Sequence, residues 1–276
     1  MNQVLVKPFC LTTLVLVAAL VVWTPAVADT QLSDQKMERF LLKAEVTRIH
    51  MVVSASTNPM SVDLERKGET RRAAFKYGQG ERPDPGNTEY EGADQPSLDS
   101  YKHEVAAYRL DRALDMHMVP VAVLRDVKAS GALVEWISDA YTVQELKDNG
   151  TYPNEMQVID QQKAVMELFD ALILNVNRKD EEILITPSDW KLHLIDHSRG
   201  FRTDPELPKD FVSQPASLPK STLKNLEKLD KSSMTILLGD LLSTGQIDSM
   251  LARKDMILAK IETDREQYGD DTVLQD

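Results

Sequence analysis

A lysine, a glutamate and an aspartate occur in this sequence in an order and spacing that suit phosphoryl transfer. Lys76 ends the stretch RRAAFK, Glu104 follows 28 residues later, and Asp196 lies directly after an apolar run, 19 residues beyond Asn177. Phosphoryl transfer needs a cation on the phosphates, a partner that orients this cation, metal ligands and a group that orients the attacking hydroxyl. Lys76, Glu104 and Asp196 are candidates for the first three of these parts.

Each of these residues also has an ordinary alternative interpretation. A surface lysine and an exposed helical glutamate are more common than an ion pair between them, and Asp196 could simply cap a turn. The argument for a site therefore depends on the elements that would carry the three residues.

The first half of the chain alternates between strand and helix patterns. Alternating and β-branched residues predict strands, and a helical apolar stripe over 100–114 predicts the helix that carries Glu104. Glycines and prolines over 78–97 predict a loop. The predicted strands are 45–54, 61–66, 70–77, 119–127 and 132–137.

The second half of the chain is mainly helical in pattern. A short ribbon of two strands, 183–186 and 192–195, interrupts it, and the segment 201–218 predicts a loop rich in proline. The predicted helices are 142–149, 155–174, 223–242 and 247–268. The sequence thus predicts an α+β fold with a strand-rich N-terminal lobe at 29–137 and a helical C-terminal lobe at 138–276.

Residues 169–201, FDALILNVNRKDEEILITPSDWKLHLIDHSRGF, predict a helix, a polar loop and two strands that end at Ile195-Asp196-His197. This segment resembles the kinase-like branch that includes the secreted Golgi casein kinases, the HipA-type toxin kinases and the phosphatidylinositol 3-/4-kinases. The branch carries a loop N-x-D-R-x-x-x-N followed by hydrophobic-I-D-H, which 175–185 and 194–197 match. The segment 103–120 resembles the helix with the branch's glutamate, and the resemblance extends roughly over 40–201.

The resemblance implies a two-lobed protein-kinase-like fold that binds ATP with Mg or Mn. It implies that Lys76 and Glu104 form the ion pair that holds the phosphates, and that Asp196 and Glu182 hold the metal. The change from strand to helix patterns puts the junction between the lobes near 135–140, where we predict that Glu135 and Trp136 contact the cofactor. A tryptophan at such a position more often serves core or hinge packing.

Two positions of the loop depart from the pattern of active kinases. Asn177 stands where the catalytic aspartate is expected, and an amide cannot accept the proton of the attacking hydroxyl. Glu182 stands where a metal-binding asparagine is expected, and a carboxylate can still bind Mg²⁺. Asp180 or Glu181 could supply the missing carboxylate. No G-x-G-x-x-G loop is present, and Ser54–Asn58 occupies the corresponding turn.

Three hypotheses about function follow. The protein is a phosphotransferase that acts on the hydroxyl of an unknown protein, lipid or small molecule, or it is a pseudokinase that binds nucleotide or a partner and signals by conformation. In the third hypothesis it is an interaction or scaffold protein that does not bind nucleotide.

The first 28 residues have the pattern of a secretory signal peptide. Lys7 precedes an apolar run over 11–22, and Ala26-Val27-Ala28 is a typical cleavage site. The alternative is an uncleaved membrane anchor. We therefore predict an exported protein, periplasmic or extracellular, with no stable membrane insertion after cleavage.

The charge of the chain argues against partners that are strongly anionic. The formal net charge is −12, and removal of the signal peptide, whose one charged residue is Lys7, changes it to −13. Such a surface repels nucleic acid and anionic membrane. The single cysteine, Cys10, lies in the signal segment, so the remaining chain has neither disulfides nor thiol chemistry.

Overall fold

The computed structural model describes residues 32–51, 60–82, 97–153, 156–176 and 178–275, and residues 32–276 belong to one compact unit. The predicted signal peptide, the turn Ser54–Asn58 and Asn177 lie outside the described residues. The helices are α1 (Asp34–Lys43), α2 (Lys102–Ala113), α3 (Val143–Asp148), α4 (Gln157–Ile173), α5 (Lys209–Ser213), α6 (Lys220–Glu227), α7 (Lys231–Leu238), α8 (Thr244–Tyr268) and α9 (Asp270–Val273). The strands are β1 (Glu45–Met51), β2 (Met60–Arg66), β3 (Glu69–Tyr77), β4 (Gln79–Arg82), β5 (Ser97–Ser100), β6 (Ala122–Leu124), β7 (Gly131–Glu135), β8 (Tyr141–Thr142), β9 (Ile183–Thr186), β10 (Lys191–Leu194), β11 (Leu218–Pro219) and β12 (Leu274–Gln275).

An antiparallel sheet with the order β1-β2-β3-β7-β6 dominates the N-terminal half. Period-two alternation buries Val62, Leu64, Ala73 and Phe75 completely on one face, where they join the core formed with α1 and α2. The close approach of β7 to β3 requires Gly131, because a Cβ atom there would lie 2.5 Å from both the Lys76 carbonyl oxygen and the Phe75 ring. This packing sets the position of the C-terminal end of β3, which carries Lys76.

The C-terminal half is mainly helical and holds a small sheet with the order β10-β9-β8. The helix α4 lies at the centre of the C-terminal half. Four apolar side chains on this helix are almost fully buried: Leu168, Phe169, Leu172 and Ile173. The helix α8 packs against α4. The mixed α+β architecture predicted from the sequence is confirmed. Thr142 and Glu145 form a capping box at the start of α3.

Several predicted boundaries were wrong. Gln79–Arg82 is a strand within the predicted loop, because it pairs with Ser97–Ser100, a long-range partner that local composition does not reveal. The predicted helix 223–242 is two helices, since Asp230 caps a new start by accepting from Ser233 N at 2.8 Å. The predicted strand 119–127 is reduced to β6, which follows Pro120, a residue that cannot donate to a sheet.

Two further findings concern the helices. The predicted loop 201–218 contains the short helix α5. Within the ranges that the model describes, no helix combines the length and apolar character needed to cross a lipid bilayer.

Candidate active site

Lys76, Glu104 and Asp196 meet at one point, as we predicted from their order. Lys76 Nζ lies 2.7 Å from Glu104 Oε1 and 2.7 Å from Asp196 Oδ1, although 28 and 120 residues separate the partners. The end of β3 carries the lysine, the first turn of α2 carries the glutamate, and the segment after β10 carries the aspartate. The ammonium group therefore ties both halves of the fold together.

Because the cluster is largely shielded from water, the charges of Lys76, Glu104 and Asp196 interact strongly with one another. Burial alone would lower the pKa of Lys76, but the two carboxylates raise this pKa above its ordinary value. Burial would likewise raise the pKa of Glu104 and of Asp196, but the lysine charge holds both pKa values below their ordinary range. All three groups are thus charged at neutral pH, and Glu104, only 2% exposed, depends on its partners for compensation.

The segment after β10 is fastened directly to Glu104. The backbone N–H of His197 donates to Glu104 Oε1 at 3.0 Å, and its Nδ1 lies 3.4 Å from Glu104 Oε2. Ser198 Oγ donates to Asp196 Oδ1 at 3.1 Å. Asp196 itself has a φ of 62°, in the left-handed region that costs free energy for a residue other than glycine. These bonds offset that cost and orient the aspartate toward Lys76.

A second set of hydrogen bonds joins α2, the same segment and α8. His103 Nδ1 donates to the Ser198 carbonyl oxygen at 2.7 Å, which also accepts from Ser100 N at 2.9 Å. Gln246 Nε2 lies 3.1 Å from His103 Nε2 and donates to the Phe201 carbonyl oxygen at 3.0 Å. Burial lowers the pKa of His103, so the ring is neutral and can accept at Nε2.

Arg178 is a residue whose importance sequence reasoning missed. Its Nε and Nη2 donate to the two carboxylate oxygens of Asp170 at 2.6 and 2.7 Å. Its Nη1 donates to the carbonyl oxygens of Ile195 at 2.7 Å and Glu182 at 3.2 Å. The guanidinium therefore links α4, the polar loop and the residue before Asp196. In the sequence it appears as one charge among several, and only its position beside Asn177 in the loop motif could have drawn attention to it.

Arg253 on α8 is a second residue that sequence reasoning missed. It is fully buried, and it donates from Nε to the Leu172 carbonyl oxygen at 2.9 Å and from Nη1 to the Arg202 and Asp204 carbonyl oxygens. Burial lowers its pKa to about 10. It fastens the end of α4 to the chain that follows the Asp196 segment, as a cation suits a helix C-terminus. An amphipathic pattern alone predicts a surface arginine here.

Glu182 lies close enough to Asp196 for their charges to interact. Burial raises the pKa of Glu182, the Asp196 charge raises it further, and Lys179 N donates to its Oε2 at 3.1 Å. Two carboxylates that repel each other suit a divalent cation, and Mg²⁺ is often held by one or two carboxylates with phosphates and water completing the shell. Among the described residues, no group of three histidine, cysteine, aspartate or glutamate side chains could hold a metal by itself. The pair thus fits a metal that arrives with a nucleotide.

The two acidic residues proposed as substitutes for the missing carboxylate differ in their surroundings. Asp180 forms an ion pair with Lys147 of α3, and Glu181 is exposed. An aspartate that is already paired is less available as a base. Because Asn177 lies outside the described residues, the predicted roles of all three stay predictions.

Glu135 and Trp136 lie at the end of β7, where the sheet passes into the helical half. Glu135 Oε2 accepts from Val121 N at 3.4 Å, and burial raises the pKa of this carboxyl group. Trp136 is 43% exposed, and the guanidinium carbon of Arg72 lies 5.7 Å from the centroid of its ring. Trp136 is therefore not a core residue, and the predicted contact of both residues with a cofactor stays a prediction.

The comparisons with known proteins point to one fold. No protein-family model matches the chain, and no curated protein matches it by sequence. One structure of the Golgi casein kinase matches with a TM-score of 0.61 and 15% identity, over 87% of this chain and 79% of its own. A second structure of the Golgi casein kinase, with Mn/ADP bound, matches with a TM-score of 0.59 and 14% identity, over 87% of this chain and 78% of its own.

Two further structures give the same picture. Hydra Fam20, solved with sugar, matches with a TM-score of 0.63 and 13% identity over 87% of this chain and 91% of its own. The Helicobacter pylori proinflammatory kinase CtkA matches with a TM-score of 0.51 and 11% identity over 82% and 96%. Together with the geometry of Lys76, Glu104 and Asp196, these likenesses show that the chain has a protein-kinase-like fold.

Proposed function

We propose that this chain is an exported kinase-like protein that binds ATP together with Mg or Mn in the cleft around Lys76. The observation that carries the proposal is the Lys76 ammonium, which bridges Glu104 and Asp196 at 2.7 Å each. Removing charged groups from water, fully for Glu104 and partly for Lys76 and Asp196, is costly, and such clusters are concentrated at functional sites. The Mn/ADP bound to the Golgi casein kinase, which shares the fold, supports the choice of ligand.

Each residue of the cluster has a distinct task in this proposal. Lys76 contacts the phosphates, and Glu104 orients its ammonium group. Asp196 and Glu182 hold the divalent cation, which neutralises charge on the phosphates. Because Lys76 already bonds Asp196, the metal must share this carboxylate with the lysine. Arg178, which donates to the Ile195 and Glu182 carbonyl oxygens, and the His197 N–H, which donates to Glu104, hold the backbone that carries both carboxylates during this exchange.

The proposal includes both a phosphotransferase and a pseudokinase, and Asn177 distinguishes them. A phosphotransferase would modify a hydroxyl of a protein or small molecule, and a pseudokinase would use nucleotide binding to control its conformation. The second candidate is a scaffold that binds no nucleotide. The buried charges favour nucleotide binding, since a scaffold gains nothing from a cluster that well-packed apolar residues could replace.

A thermal-shift titration with ATP, with and without MnCl₂, tests the proposal. Ligand that binds only the native state raises the melting temperature, by about 5–10 °C at a hundredfold excess over Kd for a chain of this size. Asp196→Ala should abolish the Mn-dependent part of the shift. Asp271→Asn, an exposed substitution on α9, should leave it unchanged. A wild-type chain that ATP does not stabilise under either condition would favour the scaffold.

A further inference from the structure

One face of β3 carries a row of side chains that extends from Lys76 toward Trp136. Side chains alternate along a strand, so Arg72, Ala74 and Lys76 share a face, and Ala73 and Phe75, completely buried, point the other way. Ala73 pairs with Glu135, the residue before Trp136. The row therefore leads from the phosphate-binding lysine to the junction between the two halves.

The length of this row matches that of a nucleotide. At about 3.3 Å per residue, Arg72 lies roughly 13 Å along the strand from Lys76. A nucleoside diphosphate placed with its phosphates at Lys76 would bring its base near Arg72. On this face the side chain between them is the small Ala74, which pairs directly with Ser61 of β2.

Arg72 is held in place at the far end of the row. Its Nε donates to Asp63 Oδ1 at 3.2 Å, and Asp63 Oδ2 also bonds His50 Nε2 at 2.8 Å. The guanidinium lies over the Trp136 ring at 5.7 Å. Two anchors thus set the plane of a group that could otherwise rotate freely, and pre-organisation of this kind lowers the cost of binding.

We propose that Arg72 and Trp136 form the end wall of the nucleobase pocket and make Arg72 a specificity-determining residue that favours purines. This inference rests on the proposed function. Arginine and tryptophan both stack on flat rings, and a purine offers a larger face than a pyrimidine.

The experiment compares two probes that share the phosphates and differ in the base. ATP and inorganic tripolyphosphate are each titrated in MnCl₂ against wild type and Arg72→Ala. Because stacking against a single side chain is worth about tenfold in affinity, Arg72→Ala should bind ATP about tenfold more weakly and tripolyphosphate equally well. The preference for ATP over CTP should decrease by a similar factor. Asp63 keeps its His50 partner in this variant, so the sheet should fold.

Arg72→Lys is the matched control, since it keeps the charge and loses the planar face. If it binds ATP as tightly as wild type, long-range attraction explains the effect and the inference is wrong. Equal losses for ATP and tripolyphosphate in Arg72→Ala would overturn it in the same way. If wild type binds neither probe, the proposed function itself fails and this inference fails with it.

Fluorescence provides an independent readout of the stacking. The chain has tryptophans at 23, 136 and 190, and cleavage after Ala28 removes Trp23, so Trp190→Phe leaves Trp136 as the reporter in the mature chain. ATP should change the Trp136 emission and tripolyphosphate should not. Identical responses to both probes would contradict a base stacked at this position.

Discussion

Lys76 Nζ lies 2.7 Å from Asp196 Oδ1, which joins the end of β3 in the sheet half to the segment after β10 in the helical half. The same lysine bonds Glu104 on α2, so a single ammonium group compensates the buried Glu104 carboxylate and the partly buried Asp196 carboxylate. The arrangement links stability to function, since a ligand that approaches Asp196 also perturbs the charge balance of Glu104. Replacement of either partner should therefore be visible in both properties.

The first prediction concerns Lys76→Met. Removing the cation leaves Glu104 buried without its main partner, which should lower the free energy of unfolding by about 3 kcal/mol. Glu104→Gln added to Lys76→Met should recover part of this loss. Urea unfolding of the single and double variants measures the coupling, and strictly additive losses would contradict the ion pair.

The same variant should change how stability depends on low pH. In wild type the pKa of Glu104 lies below its ordinary 4.5, so its contribution is complete above pH 4.5 and is lost as the pH falls toward the folded pKa. Without Lys76, burial becomes dominant and raises this pKa, so protonation no longer costs stability. The acid-induced decrease in the free energy of unfolding should be smaller in Lys76→Met than in wild type. Equal decreases in both proteins would mean that a group other than Lys76 lowers the pKa of Glu104.

The second prediction concerns Arg178→Lys. Lysine keeps the charge but cannot bond both oxygens of Asp170 and the Ile195 carbonyl oxygen at once. We expect a loss of about 2 kcal/mol in stability and, more specifically, a loss of the Mn-dependent part of the ATP shift. Arg265→Lys, on the exposed face of α8, should leave the stability and the ATP shift nearly unchanged. If the Mn dependence survives in Arg178→Lys, the arginine only stabilises the fold.

The third prediction concerns Asn177→Asp. If the missing carboxylate alone prevents phosphoryl transfer, the variant should increase autophosphorylation about a hundred- to ten-thousand-fold at nearly constant ATP affinity. Asp196→Ala should remove metal-dependent binding in either background. Efficient autophosphorylation by wild type, with no gain in Asn177→Asp, would show that another carboxylate acts as the base.

The fourth prediction concerns His193. Burial, and to a lesser extent the charge of the nearby Lys191, lowers the pKa of this ring from 6.5 to about 4. The unfolded chain takes up a proton below pH 6.5 while the folded chain does not, so stability should fall by up to about 3 kcal/mol between pH 6.5 and 4. His193→Gln, which can still bond Thr186 Oγ1, should flatten this decrease. An unchanged slope would mean that other groups control stability in this pH range.

The fifth prediction concerns export. The signal pattern predicts cleavage after Ala28, so mass spectrometry of protein recovered outside the cytoplasm should find an N-terminus at Asp29. A peptide that begins at Met1 in this fraction would instead support a membrane anchor.

The sequence by itself determined the α+β class, most helix and strand positions and the identity of the Lys76, Glu104 and Asp196 cluster. These features depend on local patterns: period-two and 3.6-residue alternation, capping residues, and a motif whose spacing is carried by one loop and two strands. The boundaries that depended on distant partners, such as β4 with β5, were wrong because pairing across many residues has no local signature.

The tertiary structure alone decided which other residues serve the site. Arg178 and Arg253 look like surface charges in the sequence, yet both are buried because they satisfy backbone carbonyl oxygens contributed by separate segments. The contact of Arg72 with Trp136 likewise requires β3 to pair with β7 in one specific register. A hydrogen bond or stacking contact depends on ångström-scale distances between segments remote in sequence, and only the folded chain sets those distances.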